Sequence, residues 1–322
     1  MLLEIDDLKV SIAVPGGALP ILRGVSFSLD VGQTLGIVGE SGSGKTMSSL
    51  ALMGLLPADA KATGRILFEG EDMLALGEAS MQKMRGDRVA MIFQEPMTAL
   101  NPLHAIGRQV GEPLRLHRGL SAHAAWAQAV TLLERVGLPG AKARAYPHQL
   151  SGGQRQRAMI AMALACGPRL IIADEPTTAL DVTVQAQILD LLAELRAQSA
   201  MAMILVSHDL AVISQNCERL LVMYGGMALE GGDARDVLER PAHPYTRALL
   251  DARPTVDGPR GQRLRAIAGA APAAGQAPEG CAFAGRCPLT IAACETAVPP
   301  AVDLGAGHWA RCIRIGEAGV AS

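Results

Sequence analysis

The sequence predicts an α/β fold built around a parallel sheet, and three observations carry that expectation. Short apolar runs alternate with helical patterns through most of the chain. A glycine-rich segment stands between one such run and a helix. A second apolar run, Leu170–Ala173, ends in two acids, Asp174 and Glu175.

Taken in order, Val25, Phe27 and Leu29 alternate with polar residues, as on a half-buried strand. Leu35–Val38 is a short apolar strand, and Thr46–Leu56 reads as a helix stopped by Pro57. Arg65–Phe68 and Val89–Phe93 read as strands. Residues 101–164 turn helical, with Trp126, Val130, Leu133 and Val136 on one expected face. After strand Leu170–Ala173, a helix presents Val184, Ile188, Leu191 and Leu195. Ala202–Val206 and Arg219–Met223 are two further apolar strands. Residues 251–280, rich in Pro, Ala, Gly and Arg without a period, read as a linker.

The chain has 322 residues, 49% hydrophobic and 19% charged, enough for a packed core and unlike a disordered tail protein. A net charge of -2 argues against a life on nucleic-acid phosphates. Aromatics are only 3%, so stacking platforms are scarce. Glu4, Asp6 and Asp7 interrupt the N-terminal apolar residues, so no secretory signal is expected. Ala158–Cys166 and Met201–Val206 are too short to span a membrane. A cytosolic chain is expected, with its six cysteines as thiols or metal ligands.

Gly39-Glu40-Ser41-Gly42-Ser43-Gly44-Lys45-Thr46 fits the P-loop pattern GxxxxGK(S/T). Glycines let backbone N–H groups turn toward phosphate oxygens, and the following helix offers its positive end. Lys45 is expected on the β- and γ-phosphates of ATP, and the Thr46 hydroxyl on Mg²⁺. Asp174, at the end of a buried strand, is expected in the Mg²⁺ shell. Glu175 is expected to polarise the attacking water as general base. Leu150-Ser151-Gly152-Gly153-Gln154 opens a helix, where hydroxyl and backbone donors make an anion site. A lone histidine such as His208 is more often a surface or capping residue, but here it directly follows an apolar strand.

These motifs together, in this order over about residues 1–250, resemble the ATPase subunit of ABC transporters. The resemblance implies a P-loop NTPase cassette with a RecA-like core, an antiparallel β part and a helical subdomain over about 95–164. It implies that Gln94 contacts Mg²⁺ and water and that His208 contacts the γ-phosphate. Ala179-Leu180-Asp181 resembles the loop linking two sites of a head-to-tail dimer. In that dimer Ser151, Gly152, Gly153 and Gln154 close on ATP held by the other subunit. One departure stands out: Ile12 falls where the family places an aromatic ring on adenine, so ring stacking is lost.

Finer features resemble the dipeptide and oligopeptide group of importers, which also includes nickel carriers. They are Glu95-Pro96-Met97-Thr98-Ala99-Leu100-Asn101-Pro102, Tyr146-Pro147-His148-Gln149 and His243-Pro244-Tyr245-Thr246. The division this implies is a nucleotide-binding domain over 1–235 and a C-terminal extension over 236–322. The implied partners are two membrane permeases, a second ATPase forming a heterodimer (a homodimer is the alternative) and, indirectly, an extracytoplasmic solute-binding protein. The implied location is peripheral, at the cytoplasmic face of the inner membrane, with peptides or related small solutes as cargo. The competing expectations are a nickel-chelate importer ATPase, or an ABC ATPase acting on nucleic acid or ribosomes. The segment between Gln94 and Leu150 is too short for the long coiled coil of chromosome-handling relatives, and the chain holds one cassette rather than two.

Cys281, Cys287, Cys294 and Cys312 cluster late in the chain, without C-x2-C knuckles or ferredoxin spacing. Spacing alone leaves inert thiols, zinc and an iron–sulfur cluster open. The resemblance implies a [4Fe–4S] cluster on these four, with zinc as the alternative, because the peptide group carries a similar tail with Cys-Pro at the position of Cys287-Pro288. Cys166 and Cys217 lie in apolar surroundings and read as core residues.

Overall fold

A computed structural model describes residues 1–178, 180–252 and 266–316. The chain divides into two compact units. A terminal unit takes residues 3–28, 35–74 and those from 207 onward; a central unit takes residues 1–2, 29–34 and 75–206.

The terminal unit begins with β1 (Leu3–Val14), β2 (Gly17–Leu29), β3 (Thr34–Val38), α1 (Lys45–Leu52), β4 (Ala60–Phe68) and β5 (Glu71–Asp72). Four of these form a sheet in the order β2-β1-β4-β5. β1 runs antiparallel to β4, with Leu3 opposite Phe68 and Ile12 opposite Ala60. Leu3, Ile5, Leu8 and Val10 are buried. The step from Ile5 to Leu8 breaks the period of two because the register shifts between Asp6 and Lys9, where Asp7 takes a left-handed φ of 47°. That bulge hides β1 from a reading based on alternation. Helix α1 ends at Leu52, short of the expected Leu56. Gly54 in left-handed conformation, φ 61°, stops it, and the Leu55 N–H closes back on the Leu50 carbonyl at 2.9 Å.

The central unit holds α2 (Glu78–Met84), β6 (Val89–Ile92), α3 (Pro96–Ala99), α4 (Ile106–Arg118), α5 (Ala122–Arg135), α6 (Gly152–Leu164), β7 (Leu170–Asp174), α7 (Val182–Ala197) and β8 (Ala202–Ser207). β7 lies between β6 and β8, parallel to both. All three strands are buried along their length, as their unbroken apolar sequences require. Helix α5 buries Ala125, Ala129 and Leu133 rather than the expected Trp126 and Val130, which are half-buried. The reason lies on α4. A Cβ at Gly111 would stand 3.0 Å from the Ala125 carbonyl oxygen, and one at Gly107 3.0 Å from the Trp126 ring. The two helices approach most closely where Gly111 meets Ala125, while the Trp126 ring lies over Gly107 and stays half-buried.

The terminal unit resumes with α8 (Leu210–Asn216), β9 (Arg219–Tyr224), β10 (Met227–Asp233), α9 (Ala234–Glu239), α10 (Pro244–Asp251), α11 (Ala292–Thr296), β11 (Val302–Gly305) and β12 (His308–Ala310). Its strands run in the order β11-β12-β10-β9-β3, with β3 parallel to β9 and the other pairs antiparallel. The late strand β12 therefore pairs directly with β10, and Trp309 lies across Gly231. Glu230 of β10 is fully buried and accepts from the N–H groups of Ala242 and His243, at 2.7 and 3.0 Å, and meets His308 Nε2 at 2.8 Å. Of the expected linker over 251–280, residues 253–265 lie outside the described residues. Its later part is not a free tether. Ile267 and Ala268 carbonyls accept from Arg286, and the Glu279 carbonyl accepts from Arg23.

Candidate functional site

The P-loop candidates join β3 to α1 in the terminal unit. A Cβ at Gly39 would stand 2.1 Å from the Met223 carbonyl oxygen, so the loop can start only from glycine. Gly44 caps α1 with a left-handed φ of 98° and makes no side-chain cap bond to the first turn. Lys45 is buried, and its Nζ donates to the carbonyls of Gly39 at 2.8 Å and Glu40 at 3.2 Å. The Ser43 hydroxyl is buried without a hydrogen-bond partner among the described residues. A buried donor of this kind, at the N-terminus of a helix, fits a phosphate group. Thr46 is exposed on the first turn, and Ser41 and Gly42 are also exposed.

Glu40 is held from three sides by residues that sequence reasoning assigned no such part. Its N–H donates to the Tyr245 hydroxyl at 2.9 Å. Its carboxylate takes a 2.6 Å ion pair from Arg286 Nη1. Its carbonyl accepts from Lys45 and from the Ser43 N–H. Tyr245 was visible only as part of the His243–Thr246 motif, and no local pattern marks Arg286. Ile12 lies half-buried on β1, and His208 is exposed immediately after β8, followed by Asp209, which caps α8.

In the central unit the structure brings Gln94 and Glu175 together. Gln94 Nε2 donates to Glu175 Oε2 at 3.0 Å, and the Thr178 hydroxyl donates to the same oxygen at 2.8 Å. Glu175 has a left-handed φ of 46°, a strained setting for a residue with a Cβ. Its N–H is anchored on the Val206 carbonyl at 3.0 Å. Asp174, one residue earlier, is 2% exposed at the end of β7. Thr178 was not foreseen; its hydroxyl three residues beyond an acid is too weak a signal.

Ser151 caps α6 and forms a reciprocal box with Gln154: the Gln154 N–H reaches Ser151 Oγ, and the Ser151 N–H reaches Gln154 Oε1. Gly152 and Gly153 open α6 against the start of α7, where a Cβ on Gly153 would meet Val184 at 2.7 Å. Asp181 caps α7 through the Val184 N–H at 2.9 Å. Segment 151–154 and Asp181 are thus neighbours. Ala179 lies outside the described residues.

Cys281, Cys287, Cys294 and Cys312 converge on one pocket, together with His243, Leu289, Thr290, Pro299 and Ile313. His243 Nδ1 accepts from the Tyr245 N–H, and its Nε2 lies 4.0 Å from Cys281 Sγ. Burial pushes the Cys281 thiol up to about 11 and raises those of Cys287 and Cys312. The expected metal centre receives only half its support. The thiols converge, but among the described residues no group of three or more His, Cys, Asp or Glu is placed to hold a metal ion. Burial favours the protonated form of Cys281, Cys287 and Cys312, whereas ligation needs thiolates. None of the six cysteines forms a disulfide, and Cys166 and Cys217 are buried as expected.

Residues 22–178 match the family described as ABC transporter, and residues 229–294 match the oligopeptide/dipeptide transporter C-terminal region. The oligopeptide transport ATP-binding protein OppD of Escherichia coli is 46% identical over 315 residues, covering 97% of this chain and 93% of that protein. Its namesake in Haemophilus influenzae is 45% identical over 313 residues, covering 97% and 96%. Among solved structures, a dimeric ATP-binding cassette in a post-hydrolysis state, bound to ADP and phosphate, superposes with a TM-score of 0.66 at 29% identity. It covers 73% of this chain and 99% of that one. CbiO1 from Clostridium perfringens, part of an ABC transporter complex, gives 0.63 at 25% identity, over 73% and 90%.

Proposed function

The chain belongs to the ATP-binding subunits of ABC transporters that carry the oligopeptide/dipeptide C-terminal region, and on that premise we propose that it energises the uptake of peptides through a membrane importer. One observation carries the reading: likeness to peptide-transport ATPases runs at 46% identity through 97% of the chain. The likeness therefore includes the tail beyond the cassette.

In this reading the P-loop from Gly39 to Thr46 holds the phosphates of ATP, with Thr46, Gln94 and Asp174 serving Mg²⁺. Glu175 draws the proton from the attacking water. The bonds from Gln94 and Thr178 support this, since two donors on one oxygen fix the orientation of the carboxylate. His208 contacts the γ-phosphate. Ser151 to Gln154 and Asp181 serve the ATP of a second cassette, a reading supported by their adjacency and by the exposure of Ser151 and Gly152. ATP binding closes the pair of cassettes and hydrolysis reopens it, and the difference in affinity between the two states drives two permeases. The second cassette is a distinct relative, and a solute-binding protein delivers the peptide. No helix among the described residues is long and apolar enough to cross a membrane, which agrees with peripheral attachment through the permeases.

The finer reading of the tail is a [4Fe–4S] cluster on Cys281, Cys287, Cys294 and Cys312. Four thiols on one pocket match the ligand number of a cluster, and a single zinc ion is the alternative. Anaerobic purification tests it: iron and sulfide near four per chain support the cluster, and a colourless protein without either refutes it.

The functional test is uptake. A strain lacking the gene should lose accumulation of labelled tri- to pentapeptides and regain it with the wild-type chain but not with Lys45→Ala. Unchanged peptide uptake, with ATPase activity stimulated by nucleic acid or ribosomes, would overturn the importer reading. Restored uptake of nickel chelates alone would narrow the cargo to that class.

A further inference from the structure

Glu40, the second residue of the P-loop, has every polar group engaged, and two of its partners come from far along the chain. Arg286 lies between Cys281 and Cys287, in a single 3-10 turn over Ala284–Arg286. Its side chain is only 9% exposed. Nε donates to the Ala268 carbonyl at 2.8 Å, and Nη2 to the Ile267 carbonyl at 3.1 Å. Nη1 serves both the Glu40 carboxylate at 2.6 Å and the Tyr224 hydroxyl at 3.0 Å. The guanidinium is thus locked in the cysteine-bearing segment, and its remaining reach is spent on the loop. Tyr224, Tyr245 and Phe283 pack ring against ring with centroids 4.5 to 5.3 Å apart, and Tyr245 takes the Glu40 N–H.

We propose that Arg286 is a positioning residue for nucleotide binding, clamping the P-loop through Glu40, so that the folded cysteine segment sets the affinity for ATP. The clamp has two effects. It holds the loop backbone where its N–H groups face the phosphates. It also neutralises a carboxylate that otherwise sits in the phosphate loop and repels the triphosphate. A half-buried charge deprived of its partner is costly, and bound ATP increases that cost. The inference rests on the P-loop reading given above.

The test is equilibrium binding of a fluorescent ATP analogue with Mg²⁺ to the full-length chain, with a thermal melt of each variant. Arg286→Ala is expected to weaken binding by roughly tenfold, in line with a charge-assisted pair. Adding Glu40→Gln to it should recover at least about threefold, because the unpaired negative charge is gone. A purely structural role of Arg286 gives no such recovery. Wild-type affinity in Arg286→Ala, or a double variant no better than the single one, overturns the clamp. Should Arg286→Ala fail to fold, Arg286→Gln carries the same comparison. Lys45→Ala separates the two layers. If it keeps wild-type affinity, the P-loop reading itself falls; if it loses ATP while Arg286→Ala does not, the clamp alone falls.

Discussion

Gln94 and Glu175, 81 positions apart, are joined by a 3.0 Å hydrogen bond from amide nitrogen to carboxylate oxygen. The bond places the residue expected to contact Mg²⁺ and water on the residue expected to activate that water. Under the proposed role of Glu175 as general base, movement of the Gln94 segment would act directly on that carboxylate.

From this follows the sharpest catalytic prediction. Glu175→Gln removes the base but keeps a side chain that Gln94 and Thr178 can still hold. Phosphate release should fall by about a hundredfold or more, while ATP affinity stays within a few-fold and a closed dimer accumulates on size-exclusion chromatography with ATP. Wild-type turnover would refute the assignment of Glu175.

Gly39→Ala tests the start of the loop. The new Cβ meets the Met223 carbonyl oxygen, a backbone atom that cannot step aside. A stability loss of about 1–3 kcal/mol is expected from such overpacking, together with weaker ATP binding. A variant matching wild type in urea unfolding and in ATP titration would contradict the close approach.

Ile12→Phe restores a ring where the resemblance expects one, on a half-buried strand position with room at the surface. ATP should bind roughly two- to fivefold more tightly, in keeping with the modest worth of aromatic stacking. Unchanged or weaker affinity would show that Ile12 does not face the base.

Glu230→Ala tests how far the tail supports the unit that bears the P-loop. The substitution leaves two buried N–H groups and His308 without their acceptor. Unfolding in urea should show a loss of about 3 kcal/mol or more. A loss below about 1 kcal/mol would mean that the region relaxes and is independent of this network.

The core strands were legible because each is a short, unbroken apolar run: Leu170–Asp174 and Ala202–Ser207 are buried from end to end. β1 was not, because its bulge at Asp6–Lys9 breaks alternation. The buried face of α5 was only partly legible: Leu133 and Val136 are buried as expected, but Trp126 and Val130 are half-buried, because a helix shows which residues are apolar, not how closely its neighbour approaches. The close approach of Gly111 on α4 to Ala125 is set by another helix.

The sequence by itself determined the chemistry on offer: a glycine-rich phosphate loop, an apolar strand ending in Asp174 and Glu175, a capped helix start at Ser151, and four late cysteines. Those signals are local, since each depends on residue types at short spacing. Only the tertiary structure decided which groups meet. Arg286 reaches Glu40 across 246 positions and Gln94 reaches Glu175 across 81. The physical reason is that a long-range ion pair or hydrogen bond leaves no period in the chain. It exists because strand pairing and packing bring its two ends to one place.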